Sequence, residues 1–489
     1  MPEEHETIEA RLSASPEVYR HTKFMARFEK AFPWLLAGGA ALGLLETYRK
    51  NTNDRAKANA DIKAALKNQE HQAEVLKEQI RQFDENAFKE RKAERRERYT
   101  KAVEQLGDEK APVRMGGVYT LVGLVDEWLE EKSLSDDERF KEGQVIINNL
   151  CAYIRSPFTL TSYYDELSED APSLEGSYKD KKEEFYVDKA ILDSEADVRL
   201  SIIKEIHDRI QVPDKNTPGA WSDFEYDFSG STFFYPIDLT NSYYAKPINF
   251  SGSTYKGWAN FTDSTYQALA NFRGSTYQAL ANFRGSTYQG WANFRGSTYQ
   301  GEAYFTDSTY QGWANFRGST YQGEAYFTDS TYQGWANFSD STYNDVADFS
   351  GSIFYQKVYF GADGDNSSFS RFTDCAPQFY DETNRKNTLF GSPNNDFTVE
   401  NGRGYPIYRN LEGLPLGCAF LTAEQKEYLA DKFQEIDETK NKFREVKDTE
   451  GNAILVNTPL SLNGEIRVWR EKVTTVKAED NTAPEKEDN

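Results

Sequence analysis

The side chains that carry covalent, redox or metal chemistry are few and far apart. The 489-residue chain has three cysteines, Cys151, Cys375 and Cys418, and four histidines, His5, His21, His71 and His207. No two of the seven lie within four residues of each other, so zinc-type spacing is absent. His207 lies on an amphipathic helical stretch and reads as a packing or solvent residue rather than a ligand. The sequence holds no Gly-x-Ser-x-Gly, no Walker loop and no Cys–His pairing, which removes the familiar nucleophile and phosphate sites. Asp363-Gly364-Asp365-Asn366-Ser367 starts like a calcium loop. It lacks the central glycine and the later glutamate that such a loop needs, and reads as a turn. No catalytic residue, metal or cofactor is therefore expected.

What is abundant is ring and charge at fixed spacing. From Phe228 to Phe360 an aromatic residue or leucine recurs every 11 residues, and a second ring follows five residues after each of the first twelve. The central members are Phe261, Tyr266, Phe272, Tyr277, Phe283, Tyr288, Phe294, Tyr299, Phe305, Tyr310, Phe316, Tyr321, Phe327, Tyr332, Phe338 and Tyr343. Two residues before each ring, through most of the array, sits a small side chain: alanine before the Phe series, serine before the Tyr series. The segment GWANFRGSTYQGEAYFTDSTYQ stands at 290–311 and again, unchanged, at 312–333. A structural period of 22 follows, with residues 22 apart stacked one above another. Arg273, Arg295 and Arg317 then form a basic column, and Trp291, Trp313 and Trp335 a stacked aromatic ladder continued by Leu269. Asp263, Asp307 and Asp329 form an acidic column interrupted at Gly285, and Glu302 and Glu324 a shorter one on the side of Trp258 and Leu280. If the Trp ladder faces outward it is an apolar stripe suited to partner contact. If it lies over corners it only rigidifies the stack.

This pattern resembles the pentapeptide-repeat family, whose unit is Ala-(Asp/Asn)-Leu-x-x. Here it reads Ala281-Asn282-Phe283-Arg284-Gly285, then Ser286-Thr287-Tyr288-Gln289-Gly290, with Trp291 as an extra residue. The family's leucine is mostly Phe or Tyr in this chain. The resemblance covers residues 222–362 and implies a right-handed quadrilateral β-helix with four pentads per coil. A large ring stacked on a ring, with a small residue two before it, fills such a coil without voids. Six coils at ~4.8 Å each give a rod of roughly 29 Å, with both ends needing closure because open coils are edge strands.

Around this centre the fold class is mixed. Residues 1–30 are polar. Ala31–Leu45 carry no charge, and 31–48 reads as a membrane-anchor helix, Lys30 snorkelling to the interface; a helix lying on the membrane or buried by a partner, or a signal peptide, is the competing reading. Arg49, Lys50, Arg55, Lys57 and Lys63 follow the run against Arg20, Lys23, Arg27 and Lys30 before it, a slight bias toward a cytoplasmic C-terminal side; the expectation is a single-pass protein of the cell membrane with its bulk cytoplasmic. Residues 49–98 read as one long helix with heptad apolars Ile62, Leu66, Ala73, Leu76, Ile80, Phe83 and Ala87, so self-association through 62–87 is expected if a coiled coil forms. The run 89–98 interleaves Glu90, Glu94 and Glu97 with its bases and reads as a solvated face.

Residues 99–212 read as helical. LGDEKAPVRM (106–115) and ILDSEADVRL (191–200) align, each placing an acidic turn before Val-Arg-apolar, which resembles HEAT-like helical hairpins. A polar loop occupies about 157–182. Residues 363–477 read as a separate α+β region. A capping box, Thr422-Ala423-Glu424-Gln425, opens a helix to about Asp437, and Ala453–Val456 and Glu465–Val476 read as strands with Asn463-Gly464 as a turn. Residues 478–489 read as a disordered tail.

The net charge of −22 repels nucleic acid and anionic lipid, so no nucleic acid is expected as partner. Some pentapeptide-repeat proteins imitate DNA and bind DNA gyrase. Between Tyr226 and Phe360 ten acidic residues stand against seven basic ones, a net of −3, and an arginine column spoils the imitation. The arrangement of apolar run, long helix, RYTKAVEQLG (98–107), VRMGGVY (113–119) and repeats looks like multi-part, membrane-anchored pentapeptide-repeat proteins of actinobacteria. The expectation is a non-catalytic membrane-tethered scaffold presenting the rod to an unknown protein partner. The alternatives are a gyrase-directed DNA mimic and an enzyme or ligand-binding module hidden in 363–477.

Overall fold

The computed structural model describes residues 55–211, 218–361, 369–400, 402, 404–439, 442–447 and 453–476. The regions 1–30, 31–48 and 478–489, and the acidic turn at Asp363, lie outside them. The chain divides into two units, Met1–Arg95 and Arg96–Asn489. The first contributes most of α1 (Arg55–Leu106). Its heptad residues line one side of the helix, but Leu66 is 50% exposed and Ala73, Leu76 and Ile80 are only half-buried. The described residues of this unit show a helix and no coiled coil. Among all described residues, no helix is long and apolar enough to cross a membrane.

In the second unit the end of α1 joins α2 (Ala111–Leu129), α3 (Asp136–Arg155) and α5 (Lys182–Ile210), with a 3-10 turn at Thr159–Tyr163 and a short α4 (Tyr164–Leu167) between the last two. Val118, Leu121, Val122 and Val125 of α2 meet Ile147, Leu150 and Ile154 of α3 and Val198, Ile202, Ile203, Ile206 and Ile210 of α5, all buried, as the 3.6-residue spacing requires. Pro112 occupies the first turn of α2, where its missing N–H is no loss. The paired hairpin turns expected from 106–115 and 191–200 are not found. The first segment does contain a turn, but Asp193-Ser194-Glu195 sits mid-helix in α5. Glu195 is held there by two cations, Arg199 Nε at 2.7 Å and Arg114 Nη2 at 3.2 Å, so an acidic residue that resembles a turn former is a buried ion-pair partner.

From Tyr226 the chain winds into a parallel β-solenoid of about six regular turns with four flat faces. Face 1 runs from strand Tyr226–Asp227 to Val358–Tyr359, face 2 from Thr232–Phe233 to Arg371–Phe372, face 3 from Ile237–Asp238 to Ala347–Asp348, and face 4 from Tyr243–Tyr244 to Ala419–Phe420. Within the repeats each strand pairs with the one 22 residues away: Thr276 opposite Thr298, Ala281 opposite Ala303, Thr287 opposite Thr309, Ala292 opposite Ala314. The coil length read from the duplicated segment is thus the coil length found. Strands spaced about five residues apart are consistent with pentapeptide repeats.

Every ring from Phe261 to Tyr343 in the two series is at most 1% exposed. Rings 22 apart lie parallel: Phe283 and Phe305 at 5.1 Å and 2°, Tyr299 and Tyr321 at 4.9 Å and 3°. Rings of adjacent columns meet edge to face, Phe294 and Phe305 at 5.1 Å and 77°, so both favoured aromatic geometries are used. From Ser253 to Ser352 the serines before the ring series donate to a carbonyl in the neighbouring coil, as Ser297 Oγ to Phe272 O at 2.9 Å. The ladder tyrosine hydroxyls behave differently: those of Tyr255 through Tyr343 are buried and make no well-formed hydrogen bond among the described residues. Corners fall at left-handed backbone. Asn241, Asp263, Gly285, Asp307, Asp329 and Gly351 occupy one such column, with φ between 51° and 70°, the region in which Asn, Asp and Gly are least strained.

Both ends are closed. At the start, Gln144 of α3 bonds the Glu225 backbone, Arg155 pairs with Asp227 at 3.0 Å, and Trp221 and Phe224 continue the ring stack into the helical core. At the other end the sheets continue past residue 362, where the sequence seemed to leave the solenoid. Tyr343 stacks on Phe372 and Phe354 on Phe390, and Phe390 opposes Phe420. Loops at the corners lengthen these coils, so the 11-residue spacing vanishes while the ring stack persists.

The described residues between 422 and 474 form a strap over face 4. Its first helix, α6 (Ala423–Glu438), has the expected capping box: Thr422 Oγ1 accepts from Gln425 N at 3.2 Å and Gln425 Oε1 from Thr422 N at 2.9 Å. A hairpin of Phe443–Lys447 and Ala453–Asn457 follows, then α7 (Thr458–Thr474). The expected strand at Glu465–Val476 and turn at Asn463-Gly464 are therefore wrong. Leu462, Ile466 and Arg470 are buried on one helical stripe, with Trp469 and Val473 beside it, a spacing of three and four rather than two.

Candidate interaction surface

The period of two along each strand decides what faces solvent. In Trp291-Ala292-Asn293-Phe294-Arg295, Ala292 and Phe294 are buried while Trp291 and Arg295 are exposed. Face 1 therefore carries three parallel columns: Trp at one corner, Asn along the middle, Arg at the other corner. Trp291 is 57% and Trp335 50% exposed, with Trp313 half-buried between them. The expected ladder of ring contacts runs edge to face rather than parallel. Trp291 and Trp313 meet at 5.2 Å and 88°, Trp313 and Trp335 at 6.3 Å and 85°. Freed from the close packing that keeps the core rings parallel, the indoles take the edge-to-face geometry. The ladder lies at a corner with Trp291 and Trp335 exposed, so the outward and corner positions, set apart as alternatives in the sequence, occur together.

The Asn column is a hydrogen-bonded ladder: Asn293 Nδ2 donates to Asn271 Oδ1 at 3.2 Å, and Asn271 Nδ2 to Asn249 Oδ1 at 3.0 Å. Arg273 and Arg295 are exposed, and their guanidiniums make no hydrogen bond or ion pair among the described residues. Arg317 is half-buried. Four residues of strand separate the Trp and Arg columns, roughly 13 Å. Across five coils the decorated area is on the order of 250 Å², well under the ~800 Å² per partner of a standard interface. The columns can anchor a partner but not constitute a whole interface.

The acidic column predicted from the sequence exists, but the strap covers much of it. Asp307 is buried, with Arg470 Nη2 2.7 Å from its Oδ1 and Arg467 paired to its Oδ2. Arg470 is 1% exposed and also donates to Thr331 Oγ1 at 3.3 Å. Burial pulls the Arg470 guanidinium below its ordinary value, and Asp307 opposes this. Asp329 is held by Lys386 at 2.7 Å. Sequence reasoning missed these pairs because Arg467 and Arg470 lay in a segment read as a strand. On face 3, Tyr304 donates to Glu302 at 2.8 Å and stacks on Tyr326 at 5.0 Å; its partial burial beside Glu302 pushes the phenol up to about 12.

Among the described residues no cluster of His, Cys, Asp and Glu has the makings of a metal site. Cys151 and Cys418 are buried thiols pushed up to about 12 by desolvation, the reverse of an activated nucleophile. His207 Nε2 lies 2.7 Å from Thr240 O, joining α5 to the solenoid. No protein-family model, curated protein or solved structure matches the chain.

Proposed function

We propose that this chain is a non-catalytic scaffold that docks a protein partner on face 1, with indoles as apolar anchors and arginines selecting an acidic rim. The reading rests on one observation: among the described residues no element covers the ordered Trp–Asn–Arg surface, while the equivalent face 4 is covered by the protein's own strap. Trp and Arg are the residue types that dominate interface energetics, and exposed guanidiniums on a chain of net charge −22 need a reason. The scaffold is of the pentapeptide-repeat type, with a right-handed coil. Its resemblance to membrane-anchored actinobacterial members and the charge-free run within 31–48 support a single-pass tether in the cell membrane with most of the chain in the cytoplasm. The half-exposed Leu66 fits self-association through 62–87. The DNA-mimic reading is disfavoured, because Arg467, Arg470 and Lys386 cover part of the acidic column while Arg273 and Arg295 are exposed.

The test is crosslinking and pull-down from native membranes with the wild-type chain and with Trp291→Ser/Trp335→Ser/Arg295→Glu. These side chains are exposed, so stability should change by less than about 0.5 kcal/mol per site, while capture of the specific partner should be lost. Equal capture by both proteins would contradict the assignment of face 1, and recovery of the wild-type chain in the detergent-free soluble fraction would contradict the tether.

A further inference from the structure

Face 4 under the strap has the composition of a face made for water. Its coils carry Ser-Thr-Tyr-Gln at 308–311 and 330–333, and face 2 carries the same four residues at 297–300 and 319–322. On face 2, Gln300 and Gln322 are exposed and Thr298 and Thr320 half-buried. On face 4, Thr309 and Thr331 are buried. The cover fits this polar ground imperfectly. Gln289 Nε2, Gln311 Oε1 and Gln333 Oε1 of face 4, with Asn463 Nδ2 and Arg470 Nε of α7, are buried and make no well-formed hydrogen bond among the described residues. Water reaches such atoms once the strap is raised, so each opposes closure. The apolar contacts of the strap are few. Leu462 and Ile466 of α7 join Leu429, Phe433 and Ile436 of α6 and Ile353, Leu389 and Leu421 in a cluster separate from the ring core. Raising α7 therefore leaves the ring stack intact and uncovers Asp307, the carboxylate that Arg467 and Arg470 hold.

The seated helix displays the chemistry this ground accepts: two arginines three residues apart on an aspartate corner, and an apolar pair four residues apart, Leu462 and Ile466, beside them. We propose that face 4 is a second docking surface, for an amphipathic helix of a partner protein with this chemistry, and that α7 is its displaceable resident. In a second copy the same helix is engaged on its own face 4, whereas a partner's helix has no such competing site. The wild-type chain presents face 4 only in the fraction of molecules with the strap raised, which lowers apparent affinity by that fraction. The inference goes beyond the scaffold reading and concerns a different face, so the failure of one does not decide the other.

The probe is a fluorescent peptide of residues 458–475, titrated by anisotropy against the full chain. Arg467→Glu/Arg470→Glu raises the strap through charge, and Leu462→Asp/Ile466→Asp through loss of apolar contact. Faster hydrogen exchange at 458–474 reports the opening in each. Saturable one-to-one binding to both opened chains is expected, with wild type binding at least about tenfold more weakly. Adding Asp307→Asn to either opened chain should weaken binding about tenfold or more, the scale of losing a charged partner. A tenfold excess of unlabelled wild-type chain should leave the bound peptide in place. Exchange unchanged in both variants, no binding to the opened chains, wild type binding as tightly as they do, or affinity indifferent to Asp307→Asn would overturn the proposal. Displacement of the peptide by wild-type chain would assign face 4 to a second copy and overturn the partner.

Discussion

Raising the pH through 10 is expected to unfold the solenoid cooperatively within about one to two pH units, because its core is built on phenols that cannot ionise in place. Ten ladder tyrosines, Tyr244, Tyr255, Tyr266, Tyr277, Tyr288, Tyr299, Tyr310, Tyr321, Tyr332 and Tyr343, are raised above the ordinary phenol value of 10, with burial as the main cause. The unfolded chain releases these protons near pH 10 and the folded chain retains them. Above pH 10 the native state therefore binds more protons, and stability falls as pH rises; below pH 10 the contribution is fully present. Each tyrosine removes about 1.4 kcal/mol per pH unit, so ten acting together remove on the order of 14. That equals the entire stability of an ordinary domain. Far-ultraviolet dichroism and phenolate absorbance should change in one shared transition. Reversible ionisation of the ladder near pH 10 with the fold intact would contradict it. Tyr288→Phe should lower the slope by about 1.4 kcal/mol per pH unit with little loss of stability at pH 7, since the hydroxyl it removes makes no well-formed hydrogen bond among the described residues and its polar neighbour, Ser286, already donates to Phe261 O.

Asp307→Asn is expected to release the strap rather than the solenoid. Asparagine tolerates the left-handed backbone at this corner, φ 62°, so the substitution changes charge and little else. It leaves Arg470, 1% exposed, as a buried cation whose adjoining charge is gone: the amide Oδ1 and Thr331 still accept from it, and Asp329 becomes the nearest opposite charge acting on it. Breaking a buried pair in this way costs about 3–5 kcal/mol. At about 1.4 kcal/mol per decade, hydrogen exchange of the amides of 458–474 should accelerate by roughly 10² to 4 × 10³-fold. The amides between Phe261 and Tyr343 should keep their protection. Adding Arg470→Met, which fits the same stem without the charge, should restore most of the loss. Exchange unchanged in the single variant would show that the ion pair does not hold α7 down.

The solenoid was legible because it repeats. One duplicated segment set the coil length, the coil length set the columns, and the period of two set their direction. The non-repeating parts were harder for particular reasons. The strap's docking face includes Arg470, a charged residue at a core position, and Asn463-Gly464 resembles a turn while lying inside a helix. The last coils keep their rings, Phe372, Phe379, Phe390 and Phe397, but corner loops hide the spacing. Glu195 reads as a turn residue until Arg114 and Arg199 are seen beside it. The edge-to-face tilt of the tryptophans had no sequence signal, because it depends on the absence of packing rather than on a pattern.

The central claim is that residues 22 apart stand one coil apart, since the core and every surface column follow from it. Thr276→Cys/Thr298→Cys, in a Cys375→Ser background, tests it most directly. Thr276 and Thr298 are paired in parallel strands, whose spacing of about 4.8 Å falls within the Cα range a disulfide spans. Rapid, near-complete oxidation is predicted for this pair and none for Thr276→Cys/Thr287→Cys, 11 residues apart on opposite faces. A bridge in the 11-residue pair, or its absence in the 22-residue pair, would contradict the account.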